Sequence, residues 1–507
     1  MMLMYSYIKG LEMETAEKNE QHKTEGDIRR GKLELIKQNG MLPYAERYEI
    51  NHKPGDVAGL SDGDENIKIA GRIVFVRHFG KLSFVKLFDQ SGTAQLALKF
   101  DELGDAYKLF TDIVDIGDYI GASGTIFTTK TGEKTIRVKE WSFLSKSLRT
   151  LPEKFHGLSD TETKLRKRYL DLISSPETMT RFKTRTKIVR TIRSFLDDNG
   201  FTEIETPVLL NKASGALATP FATHHNALDL DVYLRIAPET YLKRAIAGGF
   251  DRVYEFARCF RNEGMDPSHL QDFTMLEFYA SYWNYEDNMD FTEKLIKHLL
   301  VTVLGKMEVT YGGTTINFDG EWPRYSFRDL IFKDCGIDID VDSTKDKLLA
   351  AISAKKISIE APLPLNHYGF GTLVDLLYKK VSRPGIISPV FVTKHPVDLS
   401  PLARRSDKEP GRVDRFQLVV NGWEVVNAYS ELIDPIDQAG RFEEQMKARA
   451  GGDTEAMEID EDFLQCMEYG MPPMSGWGMG IDRICALLTD SETLRDVVLF
   501  PLMKPEV

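Results

Sequence analysis

Short alternations of apolar and polar residues crowd the stretch from about Ile67 to Leu144. IKIAGRIVFVR, LSFVKLFD and TAQLALKF follow one another across glycine-bearing turns, and DYIGASGTIFTT and EKTIRVKEWSFL flank a Lys130-Thr131-Gly132 turn. Period-two patterning of this kind predicts half-buried strands. Several in close succession, with one helical insert near Glu102 to Leu109, predict a small five-stranded β-barrel of the OB type. Upstream, Gly26 to Asn39 (GDIRRGKLELIKQN) reads as a charged amphipathic helix stopped by Gly40.

The pattern changes after a basic stretch, Leu148 to Arg168, that carries Arg149, Lys154 and the run Lys164-Leu165-Arg166-Lys167-Arg168. Ser175-Pro176-Glu177 supplies an N-cap, a proline at the first helical position and an acidic first turn. Phe182, Ile188, Ile192 and Phe195 then recur at helical spacing as far as Gly200. Phe201 to Glu205 reads as a strand ended by Pro207. Beyond it, long strands and hairpins outnumber β-α-β alternation, which predicts an antiparallel sheet with helices, an α+β domain. The resulting division is a leader and charged helix (1–50), a barrel (51–147), a basic linker (148–170) and a large domain (171–507). A segment at about 334–384 has no interpretable motif and is expected to be a helical insertion.

With 507 residues, two or three domains are the prior. The composition, 42% hydrophobic and 28% charged, is that of an ordinary globular chain. A net charge of −12 argues against a general DNA-coating role but permits a polyanion on a local basic face. Cys259, Cys335, Cys466 and Cys485 form no Cys-x-x-Cys pair, so neither a disulfide framework nor a zinc site is expected, and a reducing cytoplasmic compartment fits. No apolar run approaches the ~18 residues of a membrane span, and Met1 to Lys9 lacks the build of a secretory signal.

Two glycine patterns imitate phosphate loops. Gly26-Asp-Ile-Arg-Arg-Gly31-Lys32-Leu33 lacks the final hydroxyl and a preceding strand, and Gly476-Trp477-Gly478-Met479-Gly480 has its third glycine misplaced. The informative stretch is Arg252 to Tyr282, read as strand, polar loop, strand. Alternation puts Phe273, Met275, Glu277 and Tyr279 on one face, while Arg261, Glu263 and His269 fall at the loop. Alone, this reads first as a surface hairpin with an ion pair. Asn421-Gly422 then predicts a tight hairpin between Phe416–Val420 and Trp423–Tyr429. On its second strand Asn427 and Glu431 share parity but Glu424 does not, so a common pocket demands a bulge or a bend. Small residues from Gly476 to Gly480, leading into the helix Ile484 to Leu488, would let a strand approach an anionic ligand.

These segments resemble the three signature motifs of class II aminoacyl-tRNA synthetases. Phe201 to Pro207 is similar to motif 1, Phe260-Arg261-Asn262-Glu263 to Glu277 to motif 2, and Gly478 to Arg483 to motif 3. The order of barrel and catalytic domain, with Thr223 to Asp229, Arg235 to Glu239 and Tyr429-Ser-Glu431-Leu, resembles the lysyl enzymes within that class. The resemblance implies activation of L-lysine with ATP to lysyl-adenylate, then transfer to the 3′-end of tRNA(Lys), by a cytoplasmic homodimer without a membrane role.

Residue by residue, the resemblance implies that Arg261 binds the α-phosphate and the lysine carboxylate, and that Glu263 reads the adenine amino group. Phe273 and Arg483 would sandwich the adenine, and His269 would contact the far phosphates. Glu239, Glu277 and the carbonyl of Gly215 would hold the α-ammonium; Glu431 and Tyr279, with Asn427 nearby, would take the ε-ammonium. Glu424 would hold Mg²⁺ on the triphosphate, together with Gln417, which stands where the family carries Glu. Thr219 and the loop His269-Leu-Gln-Asp-Phe273 also depart from the family pattern. In the barrel, Arg72, Phe84, Gln95 and Glu133 would read the anticodon, the alternative for Phe84 being a core phenylalanine. Lysine's two ammonium groups need buried anionic partners, whereas Glu431 would repel an aspartate side chain. The alternatives are an asparaginyl or aspartyl enzyme, a paralogue that lysylates an elongation factor but lacks the barrel, and a non-catalytic RNA-binding protein. Against the last, Arg261, Glu239 and Arg483 are all present.

Overall fold

The computed structural model describes residues 24–152, 160–212, 215–216, 218–264, 266–361, 364–450 and 459–506; the expected leader and Lys154 lie outside them. The chain forms two compact units, Met1–Asp160 with Tyr169–Ser175, and Thr161–Arg168 with Pro176–Val507.

In the first unit, strands β1 (Ile67–Phe79), β2 (Leu82–Asp89), β3 (Gly92–Lys99), β4 (Tyr119–Thr128) and β5 (Lys134–Ser145) close into a barrel of order β1-β2-β3-β5-β4. The alternation is obeyed: Ile69, Val85, Leu87, Leu96, Ile120 and Ile136 fill the interior. The helix Asp105–Ile113 buries Tyr107, Phe110 and Ile113 against the same core. Gly26 to Leu33 is no phosphate loop. It lies within the helix Glu25–Gln38, started by a Thr24 capping box and anchored by Ile36.

The second unit carries β6 (Thr202–Glu203), β7 (Leu209–Leu210), β8 (Ala222–His225), β9 (Leu230–Leu234), β10 (Arg252–Phe260), β11 (Asp272–Ser281), β12 (Glu308–Tyr311), β13 (Thr314–Asn317), β14 (Arg324–Ser326), β15 (Val390–Thr393), β16 (Arg415–Val420), β17 (Trp423–Ser430) and β18 (Met474–Gly480). Eight of these form one sheet of order β14-β15-β16-β17-β18-β11-β10-β6; β7-β9-β8 and β12-β13 are small separate sheets. The interior pairings are antiparallel as expected, but the outermost, β6 with β10 and β14 with β15, are parallel. The expected strand Phe201–Glu205 shrinks to two residues. Phe201 turns into the core against Phe278, with ring centroids 4.9 Å apart, and Pro207 has no N–H with which to extend the ladder.

One sheet face packs on the helices Pro176–Asp198, Tyr285–Leu304 and Ile481–Leu488 through Ile188, Ile192, Leu295, Leu299, Ile484 and Leu487. Leu276, Phe278 and Ala280 of β11 point that way, with Phe278 stacked on Trp477 at 4.7 Å. The residues between them are thereby forced onto the opposite face. Within 334–384, the helices Lys345–Ala354 and Phe370–Leu377 form a separate apolar cluster with the preceding helix Phe327–Cys335.

Candidate active site

The open face of β11, β17 and β18 is the floor of a cavity of about 380 Å³. Phe273, Met275, Glu277 and Tyr279 all line it, as the alternation required. The hairpin at Asn421-Gly422 turns through positive φ at both residues, 48° and 70°. Its register slips between Leu418 and Val419, and this bulge brings Glu424 onto the cavity wall beside Asn427 despite their opposite parity.

One end of the cavity is anionic and buried. Glu239, at the start of the helix Glu239–Ala247, is 6% exposed, as is Glu277; Glu431 is 2% exposed. Tyr279 donates its hydroxyl to Glu277 Oε2 at 3.1 Å, and Tyr429 donates to Glu239 Oε1 at 2.7 Å. Burial, then the Glu239 carboxylate, pushes Glu277 up to about 8, although Arg261 and Lys243 pull the other way. Burial also raises Glu431 well above the usual carboxylate range, with Lys243 the main opposing influence. Glu431 is not on the cavity wall but behind Gly476, which is: a Cβ at Gly476 would stand 2.1 Å from Glu431 Oε1 and 2.4 Å from the Tyr279 ring. Glu431 Oε1 has no hydrogen-bond partner among the described residues, an oxygen arranged for a cation. Gly215 needs its φ of +92° to run past Glu239, whose Cβ a side chain there would crowd at 3.2 Å.

The other end is cationic. The Arg261 guanidinium lies 5.2 Å from the Phe273 ring centroid. Arg483, in the first turn of the helix Ile481–Leu488, donates to the Glu424 carbonyl at 3.0 Å. Its neighbour Asp482, 2% exposed, accepts the Thr274 N–H at 2.9 Å and faces Arg185 at 2.7 Å, tying that helix to β11. In the loop, Glu263 accepts the Thr219 N–H at 3.3 Å, and His269 shares a hydrogen bond of 2.8 Å with Asp266. Glu263 and His269 both line the cavity.

Glu424 presents its carboxylate to the cavity and accepts a hydrogen bond of 2.7 Å from Gln417 Nε2. Gln417 itself is 6% exposed, and its oxygen accepts from the Tyr378 hydroxyl at 3.3 Å, so it stands behind Glu424 rather than on the wall. Among the described residues, no three His, Cys, Asp or Glu side chains converge as a metal cluster. A single carboxylate suits a hard cation that takes most of its oxygens from a polyphosphate and water.

On the barrel, Arg72, Phe84 and Gln95 project from the non-core face of β1, β2 and β3, with Glu133 beside Gln95's partner Thr135. Phe84 is half-buried and does not join the core cluster. Arg72 sits over the Tyr119 ring at 4.4 Å, Gln95 donates to Thr135 at 2.9 Å, and Glu133 pairs with Lys86 at 2.8 Å.

Three participants escaped the sequence reading. Arg415 lines the cavity and donates to Asn427 Oδ1 at 2.8 Å. Its parity with Gln417 on β16 was the available signal. Tyr429, quoted only within a motif, is the hydroxyl on Glu239. Lys243, four residues after Glu239, was visible only as an ordinary i,i+4 ion pair.

Two family descriptions match the chain, "tRNA synthetases class II (D, K and N)" over residues 160–504 and "OB-fold nucleic acid binding domain" over residues 67–144. Among curated proteins, the lysine--tRNA ligase of Carboxydothermus hydrogenoformans is 46% identical over 481 residues, covering 94% of this chain and 97% of that one. Those of Synechococcus sp. strain RCC307 and of Streptococcus agalactiae serotype V are 45% and 44% identical, covering 95% and 94% of this chain and 96% and 97% of theirs.

Proposed function

We propose a division of labour for the cavity of a chain that belongs to the class II tRNA synthetases and, among them, to the lysine--tRNA ligases. The enzyme joins L-lysine to tRNA(Lys) through lysyl-adenylate. The observation that carries the assignment of substrate is the buried anionic end, where Glu431 Oε1 lacks a partner beside Glu239 and Glu277.

Lysine enters with its α-ammonium on Glu239, Glu277 and the Gly215 carbonyl. Its ε-ammonium reaches Glu431 and Tyr279 across Gly476, near Asn427. ATP lies at the cationic end, its adenine between Phe273 and Arg483, its amino group on Glu263 and its far phosphates toward His269. The lysine carboxylate attacks the α-phosphorus in line; the new bond is carboxylate O–P, and the bond from the α-phosphorus to its bridging oxygen breaks to release diphosphate. No protein nucleophile takes part. Arg261 aligns carboxylate and α-phosphate and offsets the charge that builds between them. Glu424, braced by Gln417, is the residue to hold Mg²⁺, which when bound neutralises the triphosphate. The tRNA 3′-end hydroxyl then displaces AMP from the acyl carbon.

For the barrel we propose that Arg72, Phe84, Gln95 and Glu133 read splayed anticodon bases, Phe84 by stacking. A cytoplasmic homodimer fits the four free cysteines and the exposed apolar Val208 and Leu209 beside Pro207. No helix among the described residues is long and apolar enough to cross a membrane.

The test is ATP–diphosphate exchange with each of the twenty amino acids, beside Glu431→Gln. Exchange with lysine alone, weakened sharply in the variant, is the expected result. Exchange driven by aspartate or asparagine would overturn the substrate assignment.

A further inference from the structure

The anionic end already contains a lysine of the protein's own. Lys243 is 1% exposed, and its Nζ donates to Glu239 Oε1 at 2.5 Å and contacts Glu431 Oε2. Three rings surround it, with centroids 6.0 Å (Tyr279), 5.7 Å (Tyr429) and 5.8 Å (Phe463) from the ammonium. An ammonium with no exposure to water, two carboxylates and an aromatic wall is a cation site built into the fold. The carboxyl groups at this end are Glu239 and Glu277 on the cavity wall and Glu431 behind Gly476, against one fixed ammonium, Lys243; with all three ionised, as a bound dication would favour, two negative charges are left uncompensated. Lysine carries two ammonium groups.

We propose that Lys243 is a positioning and specificity-determining residue, a built-in counter-ion that aims the Glu239 and Glu431 carboxylates and leaves the pocket able to take one side-chain ammonium. This rests on the reading that Glu431 receives the substrate's ε-ammonium. Lys243 ties up Glu431 Oε2 and Glu239 Oε1 from behind, which leaves Glu431 Oε1 pointing over Gly476 as the open position. A neutral side chain of the same length leaves that oxygen without a partner. The charged and titratable groups facing Glu431 are Lys243 and Glu239 from the helix Glu239–Ala247, and Glu277 from β11. Tyr279 of β11 and Tyr429 of β17 complete the surround. Burial drives Glu431 toward its protonated form, and Lys243 is the principal influence against it. Burial likewise opposes the Lys243 charge, but Glu239 and Glu431 together raise it above the ordinary lysine value, so the ammonium persists across the working range. Without Lys243, the strongest influence favouring the Glu431 carboxylate is gone, and the group shifts further toward its protonated form.

The full-length protein with Lys243→Met keeps the volume and loses the charge. In lysine-dependent ATP–diphosphate exchange, the lysine KM is expected to rise at least tenfold at pH 7, with the ATP KM within twofold of wild type. The lysine penalty relative to wild type is expected to shrink as the pH is raised from 7 to 9, because a higher pH favours the Glu431 carboxylate. Lys243→Ala is expected to recover its lysine KM with added propylammonium, which replaces the missing stem and charge, and not with propanol. A folded Lys243→Met protein with the wild-type lysine KM overturns the proposal. So does a penalty relative to wild type that stays constant between pH 7 and 9, or rescue by propanol as well as by the amine; each would mean a structural tie alone. If Glu431→Gln leaves the lysine KM unchanged, the underlying assignment of the ε-ammonium fails, whatever Lys243 does.

Discussion

Lysine binding should release a proton from Glu277. In the empty pocket, burial and the neighbouring Glu239 carboxylate hold Glu277 at about 8, so below that pH it is mostly protonated. The arriving α-ammonium favours the carboxylate and lowers its pKa, so the proton must leave as lysine binds. The sign follows: affinity is weakest at low pH, rises with pH, and levels off above about 8. Each unit below 8 costs about 1.4 kcal/mol, so lysine should bind about tenfold more weakly at pH 7 than the plateau and about a hundredfold more weakly at pH 6. Glu431, also raised by burial, can only steepen the slope. Titration calorimetry between pH 6 and 8.5 gives the affinity while the lysine side chain, ordinarily near 10.4, stays charged. Repetition in buffers of different ionisation enthalpy counts the protons released, close to one from Glu277 at pH 7. In Glu277→Gln the slope should fall by one unit, while affinity at pH 8.5 drops. A lysine affinity that is flat from pH 6 to 8, with no buffer-dependent heat, would refute the reasoning.

Two further substitutions separate the parts of the molecule. Gly476→Ala puts a methyl group 2.1 Å from Glu431 Oε1 and 2.4 Å from the Tyr279 ring. Displacing both should raise the lysine KM by about 10- to 100-fold, the equivalent of an overpacking strain of about 1–3 kcal/mol, with the ATP KM preserved; parallel exchange kinetics in each substrate check this. Phe84→Ala on the barrel should weaken tRNA binding by about 1–3 kcal/mol, the worth of one stacked base. Because Phe84 contributes nothing to the barrel core, lysine–ATP exchange should be unaffected and melting little changed. Filter binding beside exchange assays tests the separation, and equal losses in both would contradict it.

The parts of the site that obey strand periodicity were legible in the sequence. Alternation along β11 put Phe273, Met275, Glu277 and Tyr279 together, and Asn421-Gly422 announced its turn. The parity conflict at Glu424 demanded a bulge or a bend, and the register of β16 and β17 contains the bulge. What stayed hidden depends on long-range convergence. Lys243 sits on a helix at an unremarkable spacing from Glu239, and only β11, β17 and the helix Glu461–Glu468, brought in from distant parts of the chain, make it a buried cation. Arg415 meets Asn427 only once the hairpin is in register. Edge pairings were equally illegible: a parallel ladder of two residues, such as β6 on β10, leaves no period to read.

The polarity of the cavity gives a chain of net charge −12 a local cationic end, at Arg261 and Arg483, able to take a polyanion. β11 runs from Phe273 at the cationic end to Tyr279 at the anionic end, six residues and so about 20 Å along one strand. On the proposed placement of the substrates, that span separates Glu239, Glu277 and Glu431 from the triphosphate and leaves Glu263 and Glu424 as the carboxylates beside the nucleotide. Arg261, stacked on Phe273, stands as the cation between the two halves. A substrate held by both its ammonium groups at the Tyr279 end can present only its carboxylate toward Arg261. On that proposed placement the direction of attack on the α-phosphorus follows the charge gradient along one strand, and residues that shape that gradient without touching the reacting atoms, Lys243 foremost, should alter lysine kinetics while leaving those of ATP alone.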